Sequence, residues 1–351
     1  MYINGAGCLS PQPTFGHPGF PEEAASVESN RLKAIEPNYK EFVPPEMVRR
    51  MGRIIKMGVA AAKSTLNEAG CTVPDAIITG TGLGCIEDTE KFLGTMIRNR
   101  EEFLTPTAFI QSTHNTVSAQ IALLTGCHGY NFTYVHRGFS FENAILDSLL
   151  QFQHERGSSI LLGAADELTT NSFHIQERMG FWRRKPGDSL TMVDHPGKGT
   201  VAGEGAAFFL LGTEKKPTTY ARLTDVETCF SPDALPEEQI NVRDILDRNG
   251  LALSDIDLVL LGRNGDVRFD RIYDRMMASA FPSTPSGYFK HLCGEYMTAS
   301  SFGLWVAANI LKEQRIPKIL HVNNPPDPVK HILVYNHYRG INHSLILLSQ
   351  A

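Results

Sequence analysis

The sequence lacks the long apolar runs and basic stretches that membrane-spanning and nucleic-acid-binding chains carry. Its most apolar segments, such as residues 256–261 and 344–349, are far shorter than the roughly 20 residues that cross a bilayer. Lys and Arg total 33 against 38 Asp and Glu, and they form no basic stripe. We therefore expect no membrane association and no nucleic acid partner. Residues 1–7 lack the charged and apolar regions of a signal peptide, so we expect a cytoplasmic location.

Paired cysteines are also absent. The six cysteines are scattered, without Cys-x-x-Cys spacing, at Cys8, Cys71, Cys85, Cys127, Cys229 and Cys293. This scatter argues against a zinc site and against a disulfide framework. We expect these residues to be small buried apolar side chains, and we expect neither a metal nor a cofactor.

The chain does contain a pattern of short β-rich runs that alternate with helical stretches, which favours α/β layering. In the first half we predict strands at 1–6, 76–81, 131–135, 159–163 and 206–211, and helices at 45–69 and 140–155. In the second half we predict strands at 220–225, 258–261, 318–322, 332–335 and 344–348, and helices at 241–249, 269–280 and 297–311. A polar, proline-containing stretch at 214–218 predicts a seam between an N-terminal half, 1–214, and a C-terminal half, 219–351.

Several segments resemble, in the same order along the chain, the β-ketoacyl synthases of fatty-acid and polyketide synthesis. Gly203-Glu204-Gly205-Ala206-Ala207 is similar to the family's Gly-Glu-Gly-Ala-Gly segment, and residues 338–344 resemble its closing Phe-Gly-Gly-Thr-Asn-x-Ser turn. Further similar segments lie at 3–11, 113–122, 126–131, 163–167, 194–196 and 290–294. The resemblance implies a thiolase-like α/β fold, in which two similar βα halves form a layered αβαβα core.

The family condenses acyl chains with a cysteine nucleophile and two histidines that stabilise a developing enolate. Aligning the helix that follows the predicted strand at 131–135 places Arg137 at the cysteine position, and a one-residue slip would place His136 or Gly138 there; none of the three is a thiol or a hydroxyl. Arginine stays protonated and cannot act as a nucleophile. The first histidine position is Gly262 and the second is Glu295, whereas the family's lysine is retained as Lys290. Condensation by this chain alone is therefore not expected.

The same resemblance bears on the pantetheine arm of an acyl carrier protein. The two family threonines that hydrogen-bond this arm correspond to Asn264 and Asp266, which puts arm binding in doubt. Arg137 and Glu295 lie close together in the family's geometry, so we hypothesise a salt bridge between them across the vacated site. A surface-directed Arg137 is the alternative.

Other residues could support different chemistry. Five histidines could form a new catalytic set, although each is more simply a hydrogen-bonded structural residue: His114, His136, His195, His291 and His343. Ser140 is most simply a helix cap, because no Gly-x-Ser-x-Gly elbow surrounds it. The basic and aromatic cluster at 181–186 could receive an acidic carrier protein, with a solvated loop as the alternative.

The function that this resemblance favours is that of a non-catalytic, chain-length-factor-like subunit. Such a subunit pairs with an active ketosynthase along the strand at 131–135 and receives an acyl carrier protein, in fatty-acid-like, polyketide or aryl-polyene pigment synthesis. Bulky side chains at the shared interface would limit the acyl chain by excluded volume, and our candidates are Phe109, Ile110, Tyr134, Phe139, Phe141 and Tyr338. Two alternatives stay open: an acyltransferase with altered chemistry, and a homodimer that holds an acyl chain.

Overall fold

The computed structural model describes residues 1–16, 19–21, 23–154, 157–231 and 241–351. Within them the strands are β1 (Tyr2–Leu9), β2 (Ala76–Gly80), β3 (Tyr130–Tyr134), β4 (Ser159–Asp166), β5 (Gly205–Gly212), β6 (Ala221–Phe230), β7 (Leu258–Leu261), β8 (Ser286–Tyr288), β9 (His331–Tyr338) and β10 (Asn342–Ser349). The helices are α1 (Pro45–Val48), α2 (Arg53–Glu68), α3 (Ile86–Arg98), α4 (Pro106–Gln111), α5 (Thr116–Thr125), α6 (Ser140–Gln153), α7 (Thr170–Arg178), α8 (Val242–Asp247), α9 (Asp270–Ala280), α10 (Lys290–Cys293) and α11 (Ser300–Glu313).

The strands form a mixed sheet whose two halves repeat one strand order. The spatial order is β3-β2-β4-β5-β1-β6-β10-β9-β7-β8. Along the chain, strands β1 to β5 correspond one by one to β6 to β10. Across the sheet, the second five strands follow the mirror image of the order of the first five. The halves join where β1 pairs with β6 through Tyr2–Arg222 and Ile3–Ala221. The two similar βα halves expected from the sequence are therefore present. The boundary at 214–219, which falls in the connection between β5 and β6, stays a prediction.

Three buried clusters divide the molecule into layers. Helices α2 and α5 pack on the outer face of the first half, where Ile77 and Leu161 point towards them. The next residues along these strands, Ile78 and Leu162, point to the opposite face, where α6 and α11 lie between the two halves. A third cluster joins α8 and α9 to the outer face of the second half. The alternation of strand side chains thus builds the layered αβαβα core that the sequence predicts.

Two glycines in β1 allow α2 to lie close to the sheet. A Cβ at Gly7 would lie 2.6 Å from the carbonyl oxygen of Ala61, and one at Gly5 would lie 2.6 Å from that of Thr65. Both distances are too short for any side chain, so this helix–strand contact requires the two glycines of the opening Ile-Asn-Gly-Ala-Gly sequence.

Most predicted helices and strands begin and end within a few residues of the predicted positions, and β7 matches its predicted strand at both the first and the last residue. The predicted strand at 318–322 is wrong: Lys318–Leu320 form a 3₁₀ turn between Pro317 and His321, whose φ is +54°. The predicted helix at 45–69 is interrupted before Arg53, giving α1 and α2. Helix α6 ends at Gln153, and the predicted end at 155 lies outside the described residues. Of the helices in the described ranges, none is both long and apolar enough to cross a membrane.

A buried ion pair ties α2 to the start of β5. Arg53 donates to both carboxylate oxygens of Glu204, at 2.6 and 2.7 Å, and the Glu204 side chain is fully buried. The same carboxylate accepts hydrogen bonds from the backbone N–H groups of Ala34 and Leu168. Glu204 of the Gly-Glu-Gly segment is therefore a structural residue that joins three separate parts of the chain.

Replacing Arg53 should be strongly destabilising. In Arg53→Ala the Glu204 carboxylate stays buried without its cation, which we expect to lower the free energy of unfolding by about 3 kcal/mol. Urea denaturation measures this change. Arg49→Ala, which removes an exposed arginine just after α1, is the control and should change stability by less than about 0.5 kcal/mol. Equal effects of the two variants would contradict the role given to the pair.

Candidate functional site

The turn that follows β3 keeps a constrained conformation although it carries no nucleophile. Arg137–Phe139 form a 3₁₀ turn between the strand and α6, and Arg137 has a φ of +50°. The Ser140 hydroxyl accepts from the N–H of His136 and donates to the carbonyl oxygen of Arg137, both at 2.8 Å. Left-handed non-glycine residues concentrate at functional sites. Arg137 is the left-handed residue of this turn. The Ser140 hydroxyl holds the turn closed and does not cap α6, whose N-cap residue is Phe139 without a side-chain cap bond.

Arg137 does not pair with Glu295, so the hypothesis of a salt bridge between them is wrong. The Arg137 side chain is exposed and forms no ion pair within the described ranges, whereas Glu295 is buried. The physical reason is that Glu295 already has nearer partners in the interior. The alternative, a surface-directed Arg137, is what the structure shows.

Glu295 instead forms a buried ion pair with Lys290. The Lys290 Nζ lies 2.9 and 2.7 Å from the two carboxylate oxygens, and the amide of Asn264 donates to Oε2 at 2.6 Å. Lys290 is fully buried and Glu295 is 4% exposed. A carboxylate engaged in this way only accepts hydrogen bonds.

A backbone pairing places Glu295 over Lys290. Helix α10 ends at Gly294, where a φ of +75° turns the chain. The N–H of Glu295 then donates to Val201, and the N–H of Gly203 donates to Glu295, both at 2.9 Å. A Cβ on Gly294 would lie 2.6 Å from the Gly203 Cα. This glycine-to-glycine contact explains why both segments carry glycine at the point of closest approach.

Gly262, which the family resemblance aligns with the first histidine, has no space for a side chain. A Cβ there would lie 2.4 Å from Asn336 Oδ1 and 2.7 Å from the Tyr273 hydroxyl. The buried ring of His337 stacks on Tyr273 with centroids 4.3 Å apart. Burial raises the pKa of Tyr273 and lowers that of His337 well beyond their usual ranges, so both rings stay neutral. Sequence reasoning missed Asn336, Tyr273 and His337, because nothing in their local pattern shows that they meet here.

The space beside Asn264 and Asp266, which resemble the family's two pantetheine-binding threonines in position, is small. Asn264 is engaged with Glu295, and Asp266 binds Arg268 at 2.6 Å. Between these residues and Tyr338 lies a cavity of about 10 Å³, and a neighbouring cavity beside Glu295 and Met297 measures about 30 Å³. These volumes hold roughly one or two water molecules. Neither cavity admits an acyl or pantetheine chain.

Tyr338 completes this closure. It is buried at the end of β9 and borders both cavities. A Cβ on Gly138 would lie 2.4 Å from the Tyr338 Cβ, so the tyrosine packs directly on the turn that carries Arg137. Tyr338 thereby stands between the nucleophile turn and the ion pair.

The remaining sequence candidates fall into two groups. Phe109 and Ile110 on α4 are exposed, and Tyr134 is half-buried at the end of β3. Phe139 and Phe141 are buried, and Phe141 contacts Phe209 in the layer between the sheets. A tunnel-lining role for all of them stays a prediction.

The five histidines do not come together as a catalytic set. His136 contacts the Asn143 amide, His195 contacts a backbone carbonyl, and both are exposed. His291 is buried against the carbonyl oxygen of Ile319, and burial lowers its pKa to about 3. His343 bonds to Tyr335, and His114 lies exposed beside Gly84. Their separate partners fit structural histidines.

The cysteines and possible metal ligands can be placed directly. All six cysteines are free thiols, and Cys8, Cys85, Cys127 and Cys293 are buried. Burial raises the pKa of Cys8 to about 12, so this thiol stays protonated. Across the described ranges, no group of three or more His, Cys, Asp or Glu side chains is arranged to hold a metal ion.

A double-mutant cycle tests the buried ion pair. Lys290→Met and Glu295→Leu should each lower the free energy of unfolding by about 3 kcal/mol, because each leaves an unpaired buried charge. The double variant should lose about 4 kcal/mol in urea denaturation, less than the sum of the two single losses by a coupling energy of about 2 kcal/mol. Lys91→Met, which breaks the exposed Lys91–Glu87 pair, is the control and should cost less than about 0.5 kcal/mol. Strictly additive losses would disprove the coupling.

Solved structures with a similar fold include several ketosynthases. "The ishigamide ketosynthase/chain length factor" matches with a TM-score of 0.77 and 17% identity, over 100% of this chain and 98% of that chain. The ketosynthase ApeO in complex with its chain length factor ApeC from Xenorhabdus doucetiae matches with a TM-score of 0.77 and 15% identity, over 100% and 98%. A β-ketoacyl synthase from Burkholderia phymatum STM815 matches with a TM-score of 0.76 and 16% identity, over 100% and 99%. At these identities the likeness concerns the fold.

The sequence itself carries the family assignment. No curated protein sequence matches the chain. Residues 23–216, more than half of the chain, match the family model for the β-ketoacyl synthase N-terminal domain. The chain therefore belongs to the β-ketoacyl synthase family.

Proposed function

We propose that this protein is a non-catalytic, chain-length-factor-like subunit that pairs with an active ketosynthase. The observation that supports the proposal is the set of residues at the positions that resemble the family's catalytic set, together with the small cavities beside them. By the resemblance, Arg137, Gly262 and Glu295 correspond to the three catalytic positions; Glu295 is engaged by Lys290, and Glu295 and Tyr338 border cavities of about 10 and 30 Å³. A cytoplasmic location belongs to the same proposal.

The surface around β3 supports an interface with another subunit. Strand β3 lies at the end of the sheet order, so one of its edges is unpaired within the described residues. Residues 93–150, about a sixth of the chain, contain most of the exposed large apolar side chains: Leu93, Ile97, Phe103, Phe109, Ile110, Leu123, Tyr130, Phe132, Val135, Leu146 and Leu150. An unpaired strand edge within such an apolar surface favours association.

The identity of the partner is supported by the solved structures of similar fold. Two of them are described as ketosynthases with a chain length factor, and a third complex pairs a type II ketosynthase with an acyl carrier protein. Because this chain has a closed site of its own, the reacting cysteine and histidines would come from the partner. The closed cavities also give no support to acyl-chain storage at the family site.

Coexpression with the intact ketosynthase of its own gene neighbourhood tests the proposal. We expect a one-to-one heterodimer by sedimentation, elongation of a carrier-bound acyl chain by the heterodimer, and none by this chain alone. Phe132→Asp places a charge on the strand edge and should prevent the heterodimer, because an unpaired charge in an apolar interface is costly. Phe230→Asp, at an exposed phenylalanine of β6, should leave it intact.

Other outcomes would point to the alternatives. Incubating the lone protein with acyl-carrier thioesters and measuring its intact mass should give no adduct, and a covalent acyl adduct would make it an enzyme. A stable homodimer that retains lipid after purification, with no ketosynthase bound, would identify an acyl-chain-binding protein instead.

A cationic groove beside the closed site supports a carrier-protein contact. The groove measures about 600 Å³ and is lined by the exposed side chains of Arg184, Lys185 and Lys198. Arg183 has a different role, because its guanidinium donates to the carbonyl oxygens of Gly199, Met192 and Gly265. The carrier-facing part of the 181–186 cluster is therefore its exposed end, and Arg183 is a structural residue.

Charge reversal of the exposed end should weaken carrier binding. In the heterodimer, Arg184→Glu with Lys185→Glu should raise the dissociation constant of the acyl carrier protein about tenfold at low salt, since opposite charges steer association. Titration calorimetry measures this change. Lys40→Glu, at an exposed lysine on another surface, serves as the control. If both variants bind the carrier equally well, the groove is not its docking site.

A further inference from the structure

The direction of the Arg137 side chain has a consequence for the subunit interface. The turn fixes this residue: Gly138, Phe139 and Ser140 are buried immediately after it, and the Ser140 hydroxyl bonds to the backbone on both sides. With the backbone held at a φ of +50°, the guanidinium is presented at the surface, beyond the end of β3. Its outward position therefore follows from the packing of the turn.

No acid of its own chain neutralises this cation among the described residues. Glu295 is occupied by Lys290 and Asn264. The two acids of α6 point inwards: Glu142 accepts from Ser344 at 2.9 Å, and Asp147 accepts from the Tyr130 hydroxyl at 3.0 Å. Arg137 is thus an exposed, unpaired cation at the border of an apolar surface.

Covering this surface would take the cation out of water. Val135, two residues before Arg137, is exposed, and so are Phe132 on β3 and Leu146 and Leu150 on α6. A partner that pairs along β3 must bury the neighbourhood of Arg137 as well. An unpaired buried guanidinium is strongly unfavourable, whereas a bidentate carboxylate pair satisfies both its charge and its donors.

We propose that Arg137 is a partner-recognition residue whose guanidinium pairs with a carboxylate of the catalytic ketosynthase subunit. This inference rests on the proposed function, because it needs β3 to form the interface. The position at which the family carries its nucleophile is then used here for subunit choice. A partner with an apolar or basic residue opposite Arg137 is rejected, because the cation would be left unpaired.

Binding measurements on the heterodimer test the role of Arg137. Arg137→Glu should raise the dissociation constant of the subunits by about 30-fold or more, because it sets two carboxylates against each other. Arg137→Ala should weaken binding less, and Arg137→Lys should restore part of it, since lysine supplies the charge without the bidentate geometry. The thermal unfolding midpoint of each isolated variant should stay that of the native protein, because the native side chain contacts solvent. Arg243→Glu, at an exposed arginine of α8, is the matched control and should bind like the native protein.

Phe132→Asp distinguishes a failure of the role given to Arg137 from a failure of the proposed function. If Phe132→Asp prevents the heterodimer while Arg137→Glu binds within about twofold of native, the role of Arg137 is overturned and the proposed function stands. If neither change weakens association, or no heterodimer forms with the native chain, both are overturned. The inference is supported if Arg137→Glu weakens association and Arg137→Lys binds more tightly than Arg137→Ala.

Discussion

The ion pair between Lys290 and Glu295 is the interaction on which the rest of the site depends. Its two opposite charges satisfy each other inside the protein, at 2.7 Å, with Lys290 fully buried and Glu295 only 4% exposed. The amide of Asn264 donates to the same carboxylate, so Asn264 is engaged as well. Because a lone buried charge is so unfavourable, the three side chains hold each other in place.

The ion pair of Glu295 with Lys290 also explains why Arg137 faces outwards. A buried arginine would need an acid, and the acid that the family geometry brings nearest is already neutralised. The turn itself is kept in its left-handed conformation, with Tyr338 packed on Gly138 behind it. The left-handed backbone of this turn sets the direction of a cation beyond the end of the edge strand.

The symmetry of the fold places this edge at the surface. Each half ends its strand order with its third strand, β3 in the first half and β8 in the second. Strand β3 carries Tyr130, Phe132 and Tyr134 in a contacting aromatic row, and two of them are more than 40% exposed. An edge strand with exposed aromatic rings favours association, because pairing with another strand removes both the free backbone groups and the apolar surface from water.

The sequence by itself determined the α/β class and most strands and helices, and it predicts that the positions resembling the family's catalytic set carry no thiol and no imidazole. These features are local: strand and helix periodicity, glycine placement and residue type can be read along the chain. It did not determine that 318–322 forms a turn, or that Glu295 pairs with Lys290 and leaves Arg137 at the surface. Nor did it show that Asn336 and Tyr273 fill the space beside Gly262. Those outcomes depend on which side chains the folded layers bring together from distant segments, and on the unfavourable free energy of an unpaired buried charge. Only the tertiary structure decides these side-chain contacts and the pairing of these charges.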